Sequence, residues 1–449
     1  MSVEEYLRMV TEQIRCRQAR EAVRDEMKGH LDEQMEECMK EGMSRQQAEE
    51  FAVEQMGDPV ETGISLDRIH RPKAAWGMIL FIGILSILGM AVQYFISIQC
   101  ENAQGFSFSS QLVYLMAGFV MLGVMYCLDY SFFGTYGKYM AIIFLAFMFL
   151  QVFFFGKTVN GATVFLSGPG GMSISLRMLM MCFIPMYAGV LYSYRGEGLR
   201  GILKSIVFIL IPVWITMKMP CFSLAVVLFF TLAVMLSFAI GKQWFGAGGK
   251  KFLFVAWGTL ILCPPVFLLA GCKLSLFSEY QLARLQSLIN RNDPEGRDYV
   301  YYRIREVVEN SKMVGHGGNH PDTSAILPNV GSDFIITHLM SYYGILSGLL
   351  VFALLTFLVF KIFRISLRQK NQLGLMIGVG CGSMFGMQIV LYFLENIGLL
   401  PYSFLYLPLF SMGGTGMMVT YFLLGIVLSI YKYQDIPLKV NRKKLIIKI

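Results

Sequence analysis

Residues 201–217 read GILKSIVFILIPVWITM, and after Lys218-Met219 residues 220–240 read PCFSLAVVLFFTLAVMLSFAI. The first run carries one charged side chain, Lys204, and the second none. A helix of about 20 apolar residues is long enough to cross the hydrocarbon core of a bilayer. Two such runs back to back predict a membrane hairpin turned near Lys218-Met219-Pro220. The same pattern recurs on both sides of it. Ten spans are expected, at about 75–97, 110–128, 138–155, 175–194, 201–217, 220–240, 252–271, 336–360, 372–394 and 411–431. Composition agrees: 55% of the 449 residues are apolar and only 15% are charged, where soluble domains carry about 25% charge. The balance excludes a soluble enzyme and a disordered chain. The expected fold class is an all-α polytopic membrane protein of about ten helices.

Charge divides the chain. Residues 1–73 hold 17 of the 30 acids and 11 of the 38 bases, a net of −6; residues 74–449 have a net of +14. A small soluble helical domain is therefore expected at 1–73, a membrane domain at 74–435 and a basic tail at 436–449. In the prefix, Val3, Leu7, Val10 and Ile14 recur at helical spacing, as do Met27, Leu31 and Met35. Ser44 with Gln47 makes a capping box for a helix over 45–56, stopped at Gly57 and Asp58-Pro59. The string SRQQAEEFAVEQMGDPVE (44–61) resembles the helical prefix ahead of some bacterial permease-like proteins, which says nothing of chemistry.

Lys and Arg in short loops set orientation. They gather after spans two, four, six and eight (Lys138; Arg195, Arg200 and Lys204; Lys242, Lys250 and Lys251; Lys361, Arg364, Arg368 and Lys370) and in the tail. The opposite loops hold little beyond Lys157 and Lys218. Both termini are expected in the cytoplasm, and residues 272–335 outside. The opening MSVEEYLRMV has no basic region followed by an apolar one, so no signal peptide is expected. Basic residues sit between spans rather than in one patch, so no nucleic acid is expected. Nine cysteines show no CxxC or Cys/His spacing, and no metal site is legible. Cys100 and Cys272 flank loops on one face, where a disulfide is one option.

The polar stretch 272–335 is long for a loop, and long loops are usually functional. It contains Tyr280-Gln281-x-x-Arg284-Leu285, then Asp293-Pro294-x-Gly296-x-x-Tyr299, then Gly315-His316-Gly317, and closes on Leu327-Pro328-x-x-x-Ser332-Asp333-Phe334-Ile335. This order resembles the FtsW/RodA/SpoVE (SEDS) family of cell-wall synthesis, with its YQxxR, DPxGxGY, GxG and LPxxxTDFI. Asn160-Gly161-Ala162, Asn396-x-Gly398-x-x-Pro401 and Leu407-Pro408-Leu409-x-Ser411-Met412-Gly413-Gly414-Thr415 are similar to further family motifs, so the resemblance covers about 75–431. Departures are specific. The family's Glu pair falls on Ser341 and Tyr342, its Pro-Asp before span six reads Pro220-Cys221, and its Arg-Trp after NGA reads Val164-Phe165. Its QPSExxK at span four is lost, leaving Arg177 as the only charge nearby.

The resemblance implies an inverting glycosyltransferase that polymerises lipid II, the undecaprenyl-pyrophosphate disaccharide-pentapeptide, with a class B penicillin-binding protein as partner and membrane lipids around it. The residues suit that chemistry. An attacking sugar hydroxyl needs a carboxylate to take its proton. A pyrophosphate leaves without protonation, so one carboxylate suffices where most glycosidases need two; cations hold the leaving charge instead. Asp333, at the expected outer mouth of span eight, is the candidate base. Ionisable residues at membrane depth default to function, the alternative being a helix cap. Arg284, Arg177 and Lys157 are candidate pyrophosphate cations, each alternatively a solvated or snorkelling charge. Gly315 and Gly317 are candidates for close backbone approach to substrate, or a plain turn. No cofactor is fixed, and a divalent cation stays open. A precursor flippase and a non-catalytic scaffold are the competing readings. Polar density at the outer face, rather than at broken helices near the midplane, favours the enzyme.

Overall fold

A computed structural model describes residues 1–99, 108–159, 162–167, 173–219, 221–246, 249, 251–258, 261–262, 299–316, 323–327, 329–400 and 405–436. They fall into two compact units: Met1–Ala75 with Gln369–Gln372 and the chain from Ile430 onward, and Trp76–Arg368 with Leu373–Ser429.

The first unit is built on local signals. Helix α1 (Val3–Gln13) is capped by Ser2, whose hydroxyl accepts from the Glu5 amide. Helix α2 (Arg17–Lys40) leads to α3 (Arg45–Gln55), opened by the expected box: the Gln47 amide donates to Ser44 Oγ while the Ser44 amide donates to Gln47 Oε1. Gly57 takes a positive φ of 76° and ends it. Asp58-Pro59 does more than stop α3. Asp58 caps α4 (Pro59–Ile69), with Pro59 in its first turn, where a missing N–H costs nothing. Tyr6, Leu7, Val10, Leu31, Ala52 and Val53 form one buried cluster, and Ile14, Ala19, Val23 and Ile436 a second.

The second unit carries the membrane helices. Among the described residues nine helices are long and apolar enough to span. They are α5 (Trp76–Gln99), α6 (Phe108–Cys127), α7 (Phe132–Leu150, continued to Phe155 by a π turn), α8–α9 (Leu176–Leu179 and Phe183–Ser193), α10 (Gly198–Lys218), α11 (Phe222–Gly241), α15 (Ile345–Leu367), α16 (Gln372–Asn396) and α17 (Gly414–Lys432). The expected seventh span is described only over 251–258 and 261–262; the rest of it lies outside the described residues. Close packing falls at small residues: a Cβ added to Gly137 of α7 would meet the Cα of Gly189 in α9 at 2.7 Å. Helix α16 is mostly buried and α6 mostly exposed, which makes α16 the structural axis.

Three elements differ from expectation. Span eight is not continuous over 336–360. Residues Ile335–Tyr343 form a separate short helix, α14, and the span starts at Ile345. Gly344 breaks them with φ 96°, held against the backbone of Met313 and Val314 so closely that an added Cβ would come within 2.7 Å. The outer stretch contains helices α12 (Tyr299–Glu309) and α13 (Thr323–Ile326). Between α7 and α8 lies a small antiparallel sheet in the order β1 (Lys157–Val159), β2 (Ala162–Ser167), β3 (Ser173–Ser175).

Candidate functional site

Asp333 closes a tight turn, 329–333. Asn329 adopts a left-handed φ of 53°, and its carbonyl accepts from the amides of Ser332 and Asp333, both at 3.0 Å. Phe334 follows as N-cap of α14. Asp333 therefore does not cap span eight. It stands one residue before the cap of a nine-residue helix, because Gly344 detaches that helix from the span. The residue is partly exposed, while Phe334 behind it is fully buried.

The turn's carbonyls are fixed from three sides. From α16, the Tyr392 hydroxyl donates to the Ser332 carbonyl (3.0 Å) and accepts from the Ile335 amide (3.2 Å). Asn396 Nδ2 donates to the Asp333 carbonyl (3.0 Å), and its Oδ1 accepts from the Thr337 amide (3.2 Å). From the segment before α17, Ser411 Oγ donates to the Ser332 carbonyl (2.6 Å) and the Met412 amide to the Gly331 carbonyl (3.0 Å). Gln93 of α5 donates to the carbonyls of both Gly331 (2.7 Å) and Phe410 (2.5 Å). Gln388 donates to the Tyr406 carbonyl. Tyr392, Asn396, Ser411, Gln93 and Gln388 are all buried, where an unmet hydrogen bond costs about 1–3 kcal/mol. The peptide frame beneath Asp333 is thus locked, and the residue itself is partly exposed.

The other sequence candidates distribute unevenly. Arg177, partly buried in α8, follows β3 directly, and the Ser175 amide donates to Thr415 Oγ1 (3.1 Å). The segment 405–415 therefore joins the Arg177 element to the Asp333 turn. Gly413 in that segment has φ 142°, which only glycine adopts readily, and a Cβ on Gly414 would meet Tyr114 at 2.9 Å, so Gly414 serves close packing and Gly413 the backbone turn. Lys157 is exposed at the start of β1. Gly315, with φ 79°, donates its amide to the Tyr343 carbonyl (3.0 Å). That places it at the far end of α14 from Asp333, eight residues or about 12 Å along the helix. Arg284, Gly317, Asn160, Gly161 and the Cys100–Cys272 option lie outside the described residues.

Positions 341 and 342 hold no carboxylate. Ser341 is buried, and the Tyr342 ring lies between His316 (4.8 Å) and His338 (5.3 Å). Buried His338 bridges Thr323 Oγ1 (2.6 Å) and Gln99 Oε1 (3.0 Å). The Gln99 side chain also bonds the Tyr343 hydroxyl (2.9 Å). Gln93, Gln388, Tyr392 and His338 carry no role in the motif reading, and Asn396 enters it only as a motif position without a role. Their signal was polarity inside or beside apolar runs, a costly placement that marks a polar junction. Among the described residues no group of three His, Cys, Asp or Glu side chains could hold a metal ion.

The FtsW/RodA/SpoVE family, described as cell cycle proteins, matches residues 72–436. The chain belongs to this family. It is similar to a Coxiella burnetii protein named probable peptidoglycan glycosyltransferase FtsW, 26% identical over 372 residues that cover 79% of this chain and 95% of the relative. It is also similar to stage V sporulation protein E of Bacillus subtilis, 24% identical over 72% of this chain and 86% of the relative. A chain of a solved peptidoglycan synthase complex superposes with a TM-score of 0.63 at 20% identity, covering 80% of this chain and 99% of that one. Thermus thermophilus RodA superposes at 0.53 and 17%, covering 80% and 97%. These likenesses carry the family fold, and the protein is a multi-pass bacterial membrane protein.

Proposed function

We propose that this family member is a peptidoglycan glycosyltransferase that polymerises lipid II at the outer face of the cytoplasmic membrane, with Asp333 as general base. The observation that supports it most is the locked peptide frame under a partly exposed Asp333. A base must be held within a fraction of an ångström of its proton, and rigid support of that kind is what such a group needs. In the reaction the acceptor sugar's 4-hydroxyl attacks the anomeric carbon of the donor. Asp333 takes the hydroxyl proton, a glycosidic C–O bond forms, and the bond to undecaprenyl pyrophosphate breaks with inversion. The pyrophosphate keeps the bonding electrons, and Arg177, Arg284 and Lys157 are the proposed cations that stabilise it. Gly315 and Gly317 are proposed to admit substrate along their backbone. No step is routed through a metal ion.

Both termini are proposed to be cytoplasmic and 272–335 external, and the partner to be a class B penicillin-binding protein, whose cross-linking substrate would emerge on that face. The direct test is purified protein with labelled lipid II. Glycan product is expected; translocation of lipid II without product would make the protein a flippase, and neither would make it a scaffold. For orientation, Asn290→Cys should react with an impermeant maleimide in intact cells and Lys242→Cys should not. The reverse pattern overturns the outer-face assignment.

A further inference from the structure

The last turn of α16 carries a group that the reaction does not use. Glu395 is 2% exposed. It lies next to Asn396, whose side chain holds the Asp333 carbonyl and the Thr337 amide. Its Oε1 accepts from Ser223 Oγ at 2.9 Å. Ser223 sits in the first turn of α11, and Cys221, the N-cap of that helix, makes no side-chain capping bond. Burial and the negative end of the α16 dipole disfavour a carboxyl group at this place. The positive end of α11 favours it.

The backbone around it is equally constrained. The Gly398 amide donates to the Glu395 carbonyl (3.1 Å) and the Leu399 amide to the Leu394 carbonyl (2.9 Å), with Gly398 at φ 71°. This is a Schellman ending. A Cβ on Gly398 would meet Arg305 of α12 at 3.3 Å. Consecutive residues at one helix end therefore address three elements: Glu395 faces α11, Asn396 faces the Asp333 turn, and Gly398 faces α12.

We infer that Glu395 is a positioning residue for Asp333: by bonding Ser223 it fixes the end of α16 against α11, and so fixes Asn396 under the Asp333 peptide. The inference rests on the proposed role of Asp333. Cys221, where the resemblance implies an acid, carries no carboxylate, and the first turn of α11 has no acidic residue. α16 presents a carboxyl group to it.

The test uses full-length protein in nanodiscs with two readouts, lipid II polymerisation and amide hydrogen exchange over 329–337. Glu395→Ala should speed exchange over 329–337 by about ten- to hundredfold, with α5 and α17 unchanged, and lower kcat by about 10- to 100-fold with little change in KM. Ser223→Ala should act in the same direction, and the double variant should cost clearly less than the sum of the two singles, since both remove the Ser223–Glu395 bond. Glu395→Gln keeps an acceptor oxygen and should recover most of the loss. Additive effects of the two alanines, unchanged exchange at 329–337, or exchange raised equally throughout the protein would overturn the inference. Exchange is read without turnover. If the wild type makes no glycan but the exchange pattern holds, the proposed function fails and the tie stands. If Asp333→Asn abolishes polymerisation while Glu395→Ala alters neither readout, the tie fails and the function stands.

Discussion

The Ser44 turn and the Asp333 turn are both short polar breaks ahead of a helix, yet they are held in opposite ways. Ser44 is secured by Gln47, three residues away and exposed. The 329–337 segment is secured by Tyr392, Asn396 and Ser411, 57 to 79 residues on, and by Gln93, 238 residues back. Its carbonyls and amides are bound by buried side chains rather than by the turn's own sequence. The difference teaches where each kind of turn is vulnerable. The first loses a local increment when its cap is removed. The second is a junction of α5, α14, α16 and the segment before α17, and removal of one side chain leaves buried groups without partners. A carboxyl group presented from such a junction is held as firmly as the junction itself.

The comparison breaks most sharply at Asp333 itself. Asp333→Asn removes the carboxylate at nearly constant volume and leaves the carbonyl that Asn396 grips. Stability should change by no more than about 0.3–1 kcal/mol, the scale of a helix-end charge. Glycan synthesis should fall by roughly 10²–10⁴, the scale of a lost general base. Glycan length from lipid II, measured beside thermal melting, separates the two. Full polymerisation by Asp333→Asn would remove the base assignment and favour transport or scaffolding.

Tyr392→Phe should come second and act differently. It removes a hydroxyl that serves two backbone groups, the Ser332 carbonyl and the Ile335 amide. Ser332 keeps Ser411 as donor, but Ile335 loses its partner inside the protein. The expected cost is about 1–3 kcal/mol, with a loss of activity smaller than that of Asp333→Asn. Equal melting temperatures for Tyr392→Phe and wild type would mean that the junction does not depend on this bond.

The same contrast explains what was legible in sequence. Apolar run length exposed most of the spans, because span length is a property of consecutive residues. The Ser44 box, Gly57 and Asp58-Pro59 were legible for the same reason, although Asp58-Pro59 read as a stop also begins α4. Span eight was misplaced because Gly344 looks like any tolerated glycine in an apolar run. Only its packing against Met313 and Val314 forces the break. Asp333 entered as a candidate by motif order alone. Of the residues that hold its turn, Asn396 and Ser411 stood in motifs without a role, and Tyr392 and Gln93 look like stray polar groups until the fold brings them together. The sheet at 157–175 was missed because its strands are short and interrupted.

Ser44→Ala sharpens the local side of the comparison. Loss of an N-cap hydroxyl costs typically about 1 kcal/mol, and the effect should stay within α3. Hydrogen exchange over 45–55 should rise several-fold, with glycan synthesis unchanged. A loss of synthesis of the size expected for Tyr392→Phe would show that the prefix governs the reaction, contrary to a purely local role.

The smallest effect separates sequence distance from burial. Lys73 Nζ lies 2.7 Å from Asp435 Oδ2, 362 residues away, further in sequence than any bond in the Asp333 junction. It is also half-exposed. If long range were what makes a contact costly to lose, Lys73→Ala would rival Tyr392→Phe. If burial decides, the loss should be at most about 1 kcal/mol, as for exposed ion pairs, and should shrink with salt. The Lys73 amide would still bond the Lys432 carbonyl, and His70 Nδ1 the Asp435 carbonyl. The pH dependence has a definite sign. The bond to Asp435 and its charge raise the Lys73 pKa above 10.5, so the stabilisation is fully present below 10.5 and fades only as pH climbs through the raised value. Wild type and Lys73→Ala should therefore differ by a constant small amount from pH 6 to 9 and converge only as pH climbs through the raised value. A difference that disappears below pH 8, or one as large as that of Tyr392→Phe, would locate the cost in sequence separation or another titrating group rather than in burial.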